Sequence, residues 1–261
     1  MTKTAARIIT LDPDVEALVS HYKKLVIGGK EVITPYYMNE KGRRGRRVSV
    51  GKGMPQALER ETVRLAKKHN FDLDAATSEE IREFMVKHRL GVDCSALVTW
   101  AMRTMVRKRT GRSLWKYIWL PGSRARSFAV RHLRPVENIS ARVLTHEKNA
   151  RKINDLREVA PGDVVRSLNG KHVLLVSEVG FDEAGNPLYL KYVNSTEYGG
   201  IKYGIREGVI FIKDPASHIL QQEWLDSENG VNWIYKAAND YPEDTCIVRL
   251  KFLEITGQRS R

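Results

Sequence analysis

Gly91-Val92-Asp93-Cys94-Ser95-Ala96-Leu97-Val98 sets a turn against the start of a helix. From Cys94 onward, Leu97, Val98, Ala101 and Met105 recur at helical spacing and define one apolar face, with a basic face opposite. A cysteine at such an N-terminus meets free backbone N–H groups and the positive end of the helix dipole. Both favour thiolate over thiol, which predicts a nucleophile. Free cysteine is also among the most buried residue types, so the competing reading is a small core residue.

A second segment, Pro161-Gly162-Asp163-Val164-Val165, is followed after a turn by Lys171-His172-Val173-Leu174-Leu175-Val176. Ser167-Leu168-Asn169-Gly170-Lys171 joins two runs rich in β-branched residues, which predicts a hairpin whose second strand opens with His172. Alternation groups His172 with Leu174 and Val176 on one face, and Val173 with Leu175 and Ser177 on the other. A third strand is expected from Leu188 to Val193, running into Asn194-Ser195-Thr196 after a turn over Asp182–Pro187. Pairing about a turn near residue 183 sets His172 opposite Asn194. A side-chain carbonyl there would accept from the imidazole and fix its tautomer, the orienting role in a Cys-His-Asn triad. Both residues also have ordinary readings: a structural histidine at a strand edge, and an asparagine ending a strand in a turn.

Asp93-Cys94-Ser95 opening a helix, Pro161-Gly162-Asp163 leading a strand, His172-Val173 starting the next and Tyr192-Val193-Asn194-Ser195 closing a third resemble the NlpC-type cell-wall cysteine peptidases. That family has a papain-like fold, and the resemblance covers roughly residues 90 to 212. It implies Cys94 as nucleophile, His172 as general base and Asn194 as polar orienter. Family members usually carry glycine where Ala96 stands and histidine where Asn194 stands. The implied chemistry is attack on an amide carbonyl, a thioester and its hydrolysis, with peptidoglycan stem peptide or another amide as substrate. The developing oxyanion needs donors; the backbone N–H of Cys94 or Ser95 is one candidate, and Tyr36 and Tyr37 are placed upstream where relatives have a site-lining tyrosine. A surface turn with packed aromatics is the alternative for those two tyrosines.

The chain has 261 residues, 42% hydrophobic and 29% charged, enough to bury one large core or two small ones and too apolar for a disordered chain. Two distant cysteines make no disulfide framework, and no Cys/His cluster has zinc-like spacing, so neither metal nor cofactor is expected. Cys246 reads as an inward-facing strand residue with Val248, Leu250 and Phe252. The first residues lack the apolar stretch of a secretory signal, and no run is long enough to span a membrane; a cytoplasmic location is the expectation, with export by another route the alternative.

The excess positive charge, +13, favours a polyanion as a contact. The basic, glycine-containing loop Lys41-Gly42-Arg43-Arg44-Gly45-Arg46-Arg47 is its candidate, with Arg43, Arg44, Arg46 and Arg47 as the binding residues. A rival reading is therefore a nucleic-acid-binding protein, although no helix-turn-helix, zinc-finger or RNP-like motif appears and aromatics are not interleaved with the basic runs. A third is a catalytically inactive papain-like module that binds glycan or peptide.

Ahead of the cysteine, Asp12-Pro13 opens a helix with Val15, Leu18, Val19, Tyr22 and Leu25 on one stripe, which Gly28-Gly29 ends. A helix from Pro55 to about His69 follows, and Thr77-x-x-Glu80 caps another that Gly91 stops. Toward the end, a helix carrying Leu220, Trp224 and Leu225 is expected between strands at 208–212 and 245–254; both Trp224 and Trp233 read as core, with the lining of a cleft as the alternative. The fold class read from this pattern is α+β: a nucleophile helix packed on an antiparallel sheet in a papain-like core, preceded by N-terminal helices. The expected organisation is an N-terminal segment over 1–53, a catalytic domain over 54–256 and a tail over 257–261.

Overall fold

The computed structural model describes residues 4–39, 45–123, 128, 130, 133–197, 204–226 and 232–257. After β1 (Arg7–Thr10), the Asp12 side chain accepts from the Asp14 N–H and caps α1 (Pro13–Lys23). Val15, Leu18, Val19 and Tyr22 are buried as the stripe predicts, but the helix ends before Leu25. Leu25 instead begins a hairpin of β2 (Leu25–Ile27) and β3 (Lys30–Val32). Gly28 and Gly29, at φ 58° and 73°, form its tight turn, which demands two successive positive φ values.

α2 (Pro55–Lys68) and α3 (Ser78–Lys87) follow, the latter with the expected reciprocal Thr77–Glu80 capping box. Gly91 lies beyond the end of α3. There a Cβ would come within 2.5 Å of the Pro35 carbonyl oxygen, so only glycine lets these backbones meet. α4 (Cys94–Thr110) then starts at the expected residue. Its burial corrects the amphipathic reading: every residue from Cys94 to Met102 is buried, and the basic surface begins only at Arg103. A helix apolar on all sides belongs in the centre of a fold, and α4 occupies that place.

After the short α5 (Ala141–Leu144) the chain is mostly strand: β4 (Ala150–Ile153), β5 (Val164–Ser167), β6 (His172–Phe181), β7 (Pro187–Thr196), β8 (Gly204–Phe211) and β9 (Glu223–Asp226). α6 (Trp233–Ala238), β10 (Cys246–Leu250) and α7 (Lys251–Gly257) close the described chain. The sheet runs β4-β10-β5-β6-β7-β8-β9, with β1 added along the far half of β6, and the strand pairs among the described residues are antiparallel. The protein is therefore α+β with an antiparallel sheet. Val164, Val173, Leu175, Val193 and Val248 share one core with α4, and Val165, Leu174, Val176, Tyr192 and Ile210 form a second core on the opposite face.

Two late elements differ from the sequence reading. Trp224 and Leu225 sit on edge strand β9, where alternation buries Trp224 against Tyr192 and Tyr235 and leaves Leu225 exposed. The strand expected over 245–254 stops at Leu250, and Phe252 reaches the core from α7. Trp233 is exposed rather than core, and Cys246 is only half-buried, packed against the α4 core. Leu11 to Val48 of the N-terminal segment pack into the same core as α4, so this segment and the rest share one apolar interior.

Candidate active site

The loop into α4 is fixed from three sides. Val92 N–H donates to the Pro35 carbonyl at 3.0 Å, and Asp93 N–H to the Gly51 carbonyl at 2.9 Å. Ser195 Oγ, on β7, donates to the Val92 carbonyl at 2.6 Å. Asp93 is the N-cap, accepting from the Ala96 N–H at 2.7 Å. Lys52 Nζ lies 2.8 Å from Asp93 Oδ2 and 3.0 Å from Oδ1, and also reaches Ser95 Oγ at 2.6 Å and the Ile139 carbonyl at 3.2 Å. All three side chains of this network are buried, and its ammonium has a partner for each of its protons.

Cys94 is the first helical residue and 5% exposed. Its sulfur faces the start of β6: Sγ is 3.9 Å from the Lys171 carbonyl oxygen, and the nearby Val173 and Ser95 backbone N–H groups favour its charged form. It lines a cavity of about 420 Å³ with Lys52, Ser95, Glu137, Ser140 and Lys171. The expectation of a resting thiolate is reversed. Burial, then the Asp93 carboxylate, push the thiol up to about 12, and these outweigh the two N–H donors and the Lys52 charge. The capping carboxylate that starts the helix also sets a negative charge against the sulfur.

His172 opens β6 as predicted and is buried. It pairs with Ser167, while Val173 and Leu175 face α4; alternation therefore sends its imidazole to the face away from that helix. Among the described residues no hydrogen bond joins it to Cys94, and its Nε2 is buried without a partner. Burial alone lowers its pKa to about 4, so the ring is neutral at ordinary pH. It lines a neighbouring cavity of about 450 Å³ with Tyr36, Thr196 and Tyr241. Met38, Ser140, Ala141 and Lys171 line both cavities, so Cys94 and His172 flank adjoining parts of one cleft.

Asn194 is not opposite His172. The ladder pairs Leu175 with Val193 and Val176 with Tyr192, so continued to the strand start it sets His172 opposite Thr196 and Leu174 opposite Asn194. The expected register fails because the connecting turn is centred at residue 184, within the Asp182–Asn186 loop, and not at 183. A slip of two residues preserves the face, so Asn194 remains a diagonal neighbour of His172, about 7–8 Å away along the ladder. Its Oδ1 is also buried and unpartnered, as is Ser167 Oγ. Three buried polar atoms thus lack partners on one face of three adjacent strands, β5, β6 and β7. Each costs about 1–3 kcal/mol where it stays unpaired.

Of the remaining expected residues, Tyr36 bridges to Val92 and lines the His172 cavity, and Tyr37 N–H reaches the Val92 carbonyl. Ser95 contributes its N–H to the sulfur and its hydroxyl to Lys52. Arg46 lies 3.4 Å from Glu61, Arg47 lies 3.1 Å from Glu137, and Arg43 and Arg44 fall outside the described residues. Sequence reasoning missed Lys52, whose partners are 41 and more positions away. Among the described residues no group of His, Cys, Asp and Glu could hold a metal ion, and no helix is long and apolar enough to cross a membrane. Comparison with protein-family models, curated proteins and solved structures gives no match for this chain.

Proposed function

We propose that this protein is a cysteine-dependent amidase or peptidase of papain-like, NlpC-like type, acting on amides such as those of peptidoglycan stem peptides. One observation carries the reading: the sulfur at the first residue of α4 rests against the peptide groups on both sides of His172. Helix and strand are far apart in sequence, yet the sulfur meets the strand at its one imidazole-bearing residue.

The resting pair is thiol and neutral imidazole, so the reaction runs by general-base catalysis and not from a preformed ion pair. His172 turns around the strand end into the cleft it shares with Cys94, and its ring nitrogen takes the thiol proton as sulfur attacks the carbonyl carbon. The Ser95 N–H stabilises the oxyanion. The C–N bond breaks as imidazolium returns the proton to the leaving amine, leaving a thioester on Cys94. Water, deprotonated by the same imidazole, then releases the acid and restores the thiol. Asn194 Oδ1, unpartnered on the face where the imidazole rests, is the acceptor that holds the ring before it turns.

A binding module without turnover is the second reading, favoured by the raised thiol pKa and by the imidazole's far-face position. Incubation of purified stem peptides with the wild type and with Cys94→Ser, followed by mass spectrometry, separates the two. Cleavage by the wild type alone supports the enzyme; bound but intact peptide in both supports the module.

A further inference from the structure

Trp100 is buried in α4, its indole N–H donating to the Lys52 carbonyl at 3.1 Å. Two guanidinium groups lie over its ring, Arg103 at 5.0 Å and Arg47 at 5.8 Å from the centroid. Arg107 follows Arg103 by one helical turn, on the same side of α4. Arg47 shares the Glu137 carboxylate with Arg134, at 3.1 and 3.4 Å.

Arg103 and Arg107 have no carboxylate partner among the described residues; the one polar contact of Arg103 is Met54 Sδ at 4.0 Å. Nearby cations that do have carboxylates include Lys108, on the same helix, with Asp12 and Asp14, and Arg64 with Glu61. Arg103 is only half-exposed, and burial together with the charges of Arg107 and Arg47 destabilises its cationic form. Like charges held together in a partly desolvated place are unfavourable unless an anion joins them.

We propose that Arg103 and Arg107, with Arg47 beside Trp100, form a binding site for a phosphate group. A guanidinium fork presents paired N–H donors that match two oxygens of a tetrahedral phosphate, and the indole holds the Arg103 and Arg47 forks in place by stacking. A single carboxylate satisfies one fork; a phosphate has oxygens for several. Arg134 and Glu137 also line the Cys94 cavity, so the site adjoins the cleft, but it stands independently of any chemistry at Cys94.

The test is a calorimetric titration of the full chain with pyrophosphate and, separately, with a single-stranded oligonucleotide, against potassium chloride at matched ionic strength. The wild type is expected to bind pyrophosphate, and Arg107→Gln and Arg103→Lys to weaken it about tenfold or more. Arg107 is exposed, so Arg107→Gln keeps the test decisive even where Arg103→Lys perturbs packing on Trp100. Oligonucleotide affinity that falls in the same variants, with a smaller salt slope, assigns the phosphate to a nucleic-acid backbone; response to pyrophosphate alone assigns it to a small phosphorylated ligand. Heat no greater than that of the chloride control, or equal binding by both variants and the wild type, overturns the site.

Discussion

The sulfur of Cys94 lies 3.9 Å from the carbonyl oxygen of Lys171, the residue immediately before His172. This contact joins the first turn of the central helix to the residue that leads into a central strand. It brings Cys94 and His172 to adjoining parts of one cleft while leaving their side chains on different faces of the sheet. The geometry is that of a resting state in which neither partner is ionised.

Stability should peak between about pH 6.5 and 9. His172 has its pKa lowered from 6.5 to about 4, so below pH 6.5 the unfolded chain binds the proton first and stability falls as pH drops toward 4. Cys94 has its pKa raised from 9.0 to about 12, so above pH 9 the unfolded chain loses the proton first and stability falls as pH rises. Each limb is on the order of 3 kcal/mol. Urea unfolding across pH reads both; His172→Gln should flatten the acid limb and Cys94→Ser the alkaline one.

Lys52→Met should destabilise the fold by about 3–5 kcal/mol, because it strands the Asp93 carboxylate inside the protein. Lys52→Met combined with Asp93→Asn should recover part of that loss, since no buried charge remains unpaired. Equal destabilisation by the single and double variants in urea would show that the ion pair is not what holds the loop.

Asp163→Asn should cost a similar amount, about 3–5 kcal/mol. Its two oxygens accept from Arg249 Nε and Nη2, each at 2.8 Å, and Oδ2 also caps the Ala160 N–H. The Pro161-Gly162-Asp163 segment thus pins the start of β5 to β10. Thermal unfolding of Asp163→Asn and Arg249→Met should show nearly equal, non-additive losses.

Asn194→Leu should leave stability unchanged or raise it by about 1 kcal/mol, because it removes a buried acceptor that has no partner. On the proposed mechanism the same variant should lower kcat with little change in KM, since Asn194 orients the base and does not touch substrate. Loss of stability together with intact turnover would make Asn194 a packing residue.

What the sequence made legible was local. Cys94 at a helix start, His172 at a strand start and the Thr77–Glu80 capping box follow from periodicity and from residues within a few positions of one another. What it hid was set by distant parts of the chain. The Lys52–Asp93 pair joins two loops 41 positions apart, and Trp100 is met by Arg47 and by the Lys52 carbonyl from a distant part of the chain. The His172–Asn194 register depended on a turn centre misplaced by a single residue. The thiol was misjudged for a different reason: the helix start was read for its dipole, while the burial of Cys94 and the charge of its own neighbour Asp93 decide the balance.

The central claim is that His172 activates Cys94, and iodoacetamide alkylation of Cys94, followed by peptide mass mapping at pH 7.5, tests it most directly. The wild type should react at least about a hundredfold faster than His172→Ala, the lower end of what a positioned general base supplies. Equal rates in the two proteins, each rising only as the pH approaches 12, would contradict it and leave Cys94 a core thiol.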